Sequence, residues 1–327
     1  MTVDLKRLGL ALALTGILSA SPTLAQSPPP AVPARVDSLP APPPSPVSGI
    51  RNKLSAGDLL SAESILEVHR AKYGEDGPYL VGLSWLARGA QLVGDTAKAR
   101  NYASDVRARC ASLLGQGHTL TTDHDLETAL GAAIEIQSQL IASTQGERAA
   151  AAYVRGELAH IEGPVALRSR LNKCINMRAM AGAPAPEIAV EDFIGDRPPS
   201  LASLKGKPVV LFVWAEWCGD CKGQSGTLAQ MRKHFAQTDL QLVCLTRYYE
   251  EGTDHTREKA RVDSVWKAVY ADVGRAPIVI STASMERYGG SSTPTFVFVD
   301  RAGIVRRYTP TRLTEAEFER TLAPLVR

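Results

Sequence analysis

A chain of 327 residues is long enough for about two domains. Hydrophobic residues make up 44% of it, which excludes a disordered chain, and the formal net charge is only +3. With aromatics at 6% and no basic run interleaved with them, neither nucleic acid nor an acidic membrane surface is expected as a partner.

Lys6 and Arg7 precede an apolar run, Leu8 to Leu18, of signal-peptide length, and Thr23-Leu24-Ala25 offers a cleavage site. Residues 1–25 are therefore expected to be an export signal, either cleaved or retained as a membrane anchor. No Cys follows the cleavage site, so no lipoprotein anchor is expected. Residues 26–49, with Pro28-Pro29-Pro30 and Pro42-Pro43-Pro44, read as a Pro-rich spacer that cannot bury a core.

Residues 50–180 carry a helical pattern, with apolar positions three and four apart at Leu59, Ala62 and Leu66 and again at Leu80, Leu83 and Ala87. Gly57, Gly94 and Gly146 each precede such a stretch, the first two 37 residues apart. This spacing weakly resembles tetratricopeptide-type hairpin repeats; an unrelated helical bundle is the alternative, because the repeat's fuller Trp, Leu, Gly and Tyr pattern is missing. Ala181 to Pro186 reads as a linker. Beyond it, from 184 to 327, short β runs alternate with helices. Strands are expected over Val209–Trp214, Leu240–Leu245, Thr295–Val299 and Ile304–Tyr308, and helices over Gly219–Phe235 and Arg257–Ala271. Thr314 and Glu317 form a capping-box pair that opens a last helix.

The chemistry is concentrated in Trp217-Cys218-Gly219-Asp220-Cys221. A buried strand feeding a C-x-x-C pair at a helix start places a thiol beside unpaired N–H groups, which stabilise a thiolate. Cys218, at the turn, is expected to be exposed and to attack a substrate disulfide. Cys221, one turn in, is expected to be shielded and to resolve the mixed disulfide. Trp217 would supply an apolar face beside the sulfur. No second C-x-x-C or close His pair completes a zinc site, so neither metal nor organic cofactor is expected.

From about Pro186 onward the sequence resembles the TlpA-like and ResA-like exported thiol–disulfide oxidoreductases of the thioredoxin superfamily. The matching segments are Ala185-Pro186-Glu187, Leu204-Lys205-Gly206-Lys207, Trp214 to Cys218 and Ser292-Thr293-Pro294-Thr295-Phe296. The resemblance implies an α/β thioredoxin-like domain, a central mixed sheet flanked by helices; the helical pattern of residues 50–180 puts an all-α helical-hairpin domain before it. It implies that Pro294 is cis and faces the cysteine pair, and that Thr293 offers its backbone to a bound peptide. The partners implied are a protein disulfide and an external, membrane-bound thiol donor. The sequence departs from that family in two ways. Gly219-Asp220 stands where a Pro more often precedes the second cysteine, and Gln224 stands where a titratable Glu is common. Phe212 also stands where thioredoxins carry a buried Asp. Asp220 and Glu216 are the carboxylates that could take over proton transfer, although Glu216 reads more readily as a solvated surface charge. A negative Asp220 disfavours a neighbouring thiolate, which points to a reductase or exchange protein rather than a disulfide donor.

Cys244 reads as a buried strand residue, and Cys110 and Cys174 either as a structural bridge or as two buried thiols. His118, Asp123, His124 and Asp125 read as a polar loop rather than a metal site, and Tyr248 to His255 as a loop that could line the site. Two rival functions remain: a scaffold in which the helical domain holds a protein partner, and a thiol peroxidase. Ala215, three residues before Cys218, departs from the peroxidatic Thr-x-x-Cys pattern.

Overall fold

The computed structural model describes residues 44–250, 252 and 254–327. The expected export signal and the expected spacer up to residue 43 lie outside the described residues. None of the described helices is long and apolar enough to cross a membrane.

Seven helices come first: α1 (Val47–Ser55), α2 (Leu59–Tyr73), α3 (Gly77–Leu92), α4 (Thr96–Gly115), α5 (His124–Gln145), α6 (Glu147–His160) and α7 (Val165–Ala179). The first begins inside the expected spacer, at Val47 rather than after residue 49, with the Pro46 carbonyl accepting from Ile50 N. The same Gly-Asp device joins two of the pairs. Gly57 and Gly94 take positive φ (76° and 82°), and the following Asp58 and Asp95 cap α2 and α4 by accepting from Ser61 N and Lys98 N. One core of Ile50, Leu66, Leu83, Val106, Ile134, Leu167 and their neighbours unites these helices.

Six strands form the second part: β1 (Asp192–Ile194), β2 (Val209–Val213), β3 (Gln241–Thr246), β4 (Ile278–Ile280), β5 (Thr295–Val299) and β6 (Val305–Thr309). Their order is β1-β4-β3-β2-β5-β6, with β2, β3 and β4 parallel and the others antiparallel to their neighbours. Five helices accompany them: α8 (Gly219–Lys222), α9 (Ser225–His234), α10 (Thr256–Val269), α11 (Thr282–Arg287) and α12 (Glu315–Leu322). β2 is apolar throughout because both sheet faces are covered. Val210 and Phe212 join Phe296 and Phe318 on one side, while Val209, Leu211 and Val213 join Val297 and Tyr288 on the other. The capping box at Thr314 and Glu317 is present. This is a thioredoxin-like α/β layer behind a helical part.

Two expectations are corrected. The helix expected over Gly219–Phe235 is two helices, broken at Gly223 and Gln224. The buried Gln224 side chain donates to Leu313 O (2.7 Å) and accepts from Leu313 N (2.9 Å), which ties the break to the loop before α12. Ala181 to Pro186 is not a free linker. Pro184 bridges to Ile304, Gly182 N donates to Val305 O (2.8 Å) and Val305 N donates to Ala183 O (2.9 Å), so the segment pairs along β6. Residues 44–327 form one compact unit.

Candidate redox site

The register of β2 against β5 builds the site. Val213 lies opposite Thr295, so the residues leaving β2 and those entering β5 meet at one end of the sheet. After β2, Trp214 N still donates to Leu245 O (2.9 Å), and Cys218 N donates to Ala215 O (3.1 Å) to close a turn. Cys218 then caps α8, and Cys221 follows one turn later. The two cysteines are joined as a disulfide, with Cα atoms 5.3 Å apart.

Cys221 N–H donates to the Cys218 sulfur at 3.1 Å. With only four residues in α8, that one directed N–H, rather than the dipole of a long helix, is the main support for a Cys218 thiolate. On the facing side the Thr293–Pro294 peptide is cis, and the Thr293 carbonyl oxygen lies 3.4 Å from the Cys218 sulfur. In the disulfide that sulfur carries no proton, so this is a contact; a reduced Cys218 could donate there.

The expectation that Cys218 is exposed is corrected. It keeps 5% of its surface against 0% for Cys221, because the turn and the Thr293 carbonyl enclose it. The exposed group is Trp217, at 59%, whose ring meets Tyr249 edge-on at 5.3 Å. Arg247 lies 4.3 Å over the other partner of that pair, Tyr249.

The two carboxylates part company. Asp220 is exposed, with Arg312 Nη1 3.9 Å away. Glu216 is not the solvated charge expected from sequence: it is 3% exposed, paired with Arg261 Nε at 3.2 Å, and its Oε2 is buried without a hydrogen-bond partner among the described residues. Arg261 reaches Glu250 with its other nitrogen at 2.6 Å. Trp214 Nε1, Thr246 Oγ1 and Tyr249 Oη are likewise buried and unpartnered among the described residues. Four of the unpartnered buried polar atoms thus belong to residues at or just beyond the ends of β2 and β3. Burial pushes the Tyr249 hydroxyl up to about 12.

Phe212 packs against Phe296 (5.2 Å) and Trp214 (6.1 Å), so aromatic core fills the place where thioredoxins hold an Asp. Gln224 meets both a backbone donor and a backbone acceptor, which a carboxylate could not do. Sequence reasoning missed Arg261 and Arg312, since each pairs across a long stretch of chain. The loop from Tyr248 was readable, and its Tyr249 reaches the site. Its backbone is held by Glu258, which accepts from Tyr249 N at 2.6 Å.

The remaining cysteines are free and buried. Burial drives the Cys110 and Cys174 thiols up to about 12 and raises Cys244 further, so all three are poor nucleophiles near neutrality. Asp123 caps α5 by accepting from Leu126 N, and its other oxygen meets His118 Nδ1 at 3.0 Å. Among the described residues no three His, Cys, Asp or Glu side chains form a metal-sized group.

The AhpC/TSA family matches residues 181–308. The thioredoxin-like protein YneN of Bacillus subtilis is 25% identical over 142 residues, which is 43% of this chain and 78% of that protein. The thiol:disulfide interchange protein DsbE of Xylella fastidiosa is 27% identical over 153 residues, 45% of this chain and 70% of its own. Among solved structures, a thiol:disulfide interchange protein of the thioredoxin family from Chlorobium tepidum matches at 21% identity and a TM-score of 0.35, over 45% of this chain and 97% of that one. The exposed lipoprotein thioredoxin Etrx1 of Streptococcus pneumoniae matches at 25% identity and a TM-score of 0.33, over 39% and 91%. Residues 181–308 of this chain thus match the AhpC/TSA family, and its C-terminal part is similar to thioredoxin-like and thiol:disulfide interchange proteins.

Proposed function

We propose that this protein is an exported, TlpA/ResA-like reductase or exchange protein for protein disulfides, with Cys218 as attacking and Cys221 as resolving thiol. The observation that carries the reading is the cysteine pair itself: one sulfur receives a directed N–H and faces a carbonyl wall, while the other is fully enclosed. The Cys218 thiolate attacks one sulfur of the substrate, and the substrate's other sulfur leaves as a thiolate and takes a proton. Cys221 then loses its proton, attacks the Cys218 sulfur, releases the second substrate thiol and closes the disulfide. Two electrons have passed to the substrate, and an external dithiol restores the pair.

Trp217 and Tyr249 form the exposed apolar edge on which a substrate rests, and Thr293 and Pro294 the wall that meets its backbone. The helical part is assigned to partner binding, with its turn-glycine hairpins acting as a degenerate repeat. Macromolecular substrates suit an edge better than a cavity does. A groove of about 910 Å³ between α10 and β1–β4, lined among others by Trp266 and Tyr270, has no cysteine in its lining.

Asp220 places a negative charge beside the pair, which favours the reducing direction; Arg312 and solvent weaken its field. Insulin reduction run beside peroxide consumption tests the activity. Disulfide reduction without appreciable peroxide turnover is expected, because Ala215 replaces the peroxidatic threonine. A redox potential near the ~−120 mV of strong disulfide donors would reverse the assigned direction.

Of the two carboxylates we assign proton transfer with Cys221 to Glu216, since it stands two residues before Cys218 and its Oε2 is buried without a hydrogen-bond partner among the described residues. Glu216→Gln keeps the shape and the Arg261 contact but cannot titrate. It should slow the resolving step by about 10²-fold. An unchanged resolving rate would remove Glu216 from the mechanism.

A further inference from the structure

We propose that Lys173, on α7 in the helical part, is a positioning residue for the Ser292–Pro294 turn, so that the helical part sets one wall of the redox site. The functional meaning of that wall rests on the disulfide-exchange reading; the positioning does not.

Three polar ties run from α7 to the end of α11 and the chain that leads from it to β5. Arg168 Nε meets Glu286 Oε1 at 2.8 Å, Asn176 Nδ2 donates to Arg287 O at 3.0 Å, and Lys173 Nζ donates to Ser292 Oγ at 3.3 Å. Between the second and third ties the two backbones almost touch. Gly289 has φ +69°, and a Cβ there would lie 2.6 Å from Lys173 Cα and 2.7 Å from its N. No side chain fits at that spot, so the approach is built into the sequence by a glycine.

Ser292 is held from both ends. Its carbonyl accepts from Thr295 Oγ1 at 2.7 Å, which fixes it to the start of β5, and its hydroxyl accepts from Lys173. Thr293, whose carbonyl lies 3.4 Å from the Cys218 sulfur, sits between these anchors and the cis proline.

Lys173 is free to serve this purpose because Glu135, its other partner at 3.4 Å, is already met by Arg170 at 2.6 Å and Arg88 at 3.0 Å. Three cations on one carboxylate leave surplus positive charge, and the Lys173 side chain is only 19% exposed. A largely desolvated ammonium needs acceptors, and Ser292 supplies one.

The test compares Lys173→Met, Ser292→Ala, their double variant and Lys173→Arg in the full chain. Two readouts are taken: amide hydrogen exchange over residues 290–295, and KM and kcat for a soluble peptide disulfide. Faster exchange over 290–295 in Lys173→Met, with residues 218–222 unchanged, is expected. KM should rise about fivefold in each single variant with kcat nearly constant, since the loss is of one charged hydrogen bond that orders a binding wall. The double variant should be no worse than either single, and Lys173→Arg should recover most of the effect. Unaltered exchange over 290–295, or KM effects that multiply in the double variant, would overturn the proposal. A wild-type protein without disulfide activity would refute the functional reading instead, and the exchange data alone would then decide on Lys173.

Discussion

Cys218→Ser should lose disulfide exchange by on the order of a thousandfold or more, whereas Cys221→Ser should attack its substrate and then stop. The difference follows from enclosure and from the directed N–H. Cys221 N–H points at the Cys218 sulfur, and among the described residues no hydrogen bond reaches the Cys221 sulfur. Cys221 is wholly buried beneath the turn, so a substrate disulfide cannot reach it first. Once a substrate sulfur is bonded to Cys218, only a neighbouring thiol can release it, and a serine at 221 is too poor a nucleophile. A model peptide disulfide incubated with Cys221→Ser should therefore leave a covalent adduct of one peptide sulfur on Cys218, visible by intact mass and removed by dithiothreitol. Cys218→Ser should give none. The roles would be reversed if Cys218→Ser formed the adduct, and the dithiol mechanism would fall if either variant turned over at the wild-type rate.

How far the sequence anticipates this site depends on how local each feature is. The C-x-x-C pair, the Ser292 to Phe296 segment and the capping box of α12 are contiguous, and each carries its own geometry. β2, β3 and β5 announce themselves as apolar runs between turns and β6 by the hairpin-type turn Asp300 to Gly303 before it, and all four begin and end within a residue of where their patterns place them. β1 and β4 have three residues each and exist only as partners of one another and of β3, so no run of their own marks them. The break after α8 is set by Leu313, whose backbone takes both ends of the Gln224 amide from the far end of the domain. Glu216 looks like a surface charge beside a tryptophan. Its burial follows from Arg261, 45 positions away on α10, which no periodicity reveals. The segment 181–186 has a linker's composition, yet glycine and alanine are also what a backbone needs to lie flat along β6.

A last consequence concerns what holds the helical part in shape. Glu135, on α5 and 7% exposed, gathers Arg88 from α3 and Arg170 and Lys173 from α7. Glu135→Ala should destabilise the protein by about 3 kcal/mol at neutral pH, because it leaves three half-buried cations without their shared carboxylate. The loss is not confined to one ion pair. Arg170 would keep Thr128 O and the more distant charge of Glu127, and Arg88 its contact over Trp85, but each would lose its carboxylate contact at Glu135.

The pH dependence gives the sharper check. Burial pushes the Glu135 carboxyl upward, but the Arg170 hydrogen bond and the charges of Arg170, Lys173 and Arg88 outweigh it and hold the group at about 2, below its ordinary 4.5. A carboxylate depressed on folding contributes stability that is complete above its unfolded pKa and disappears as pH falls through the folded one. A depression of that size corresponds to on the order of 3 kcal/mol, present at neutral pH and lost progressively between pH 4.5 and about 2. Denaturant unfolding of wild type and Glu135→Ala should therefore differ most at pH 7 and converge toward pH 2. A difference that stays constant down to pH 2 would mean that packing of the side chain, and not its charge, joins α3, α5 and α7. The same cluster supplies the lysine that reaches Ser292.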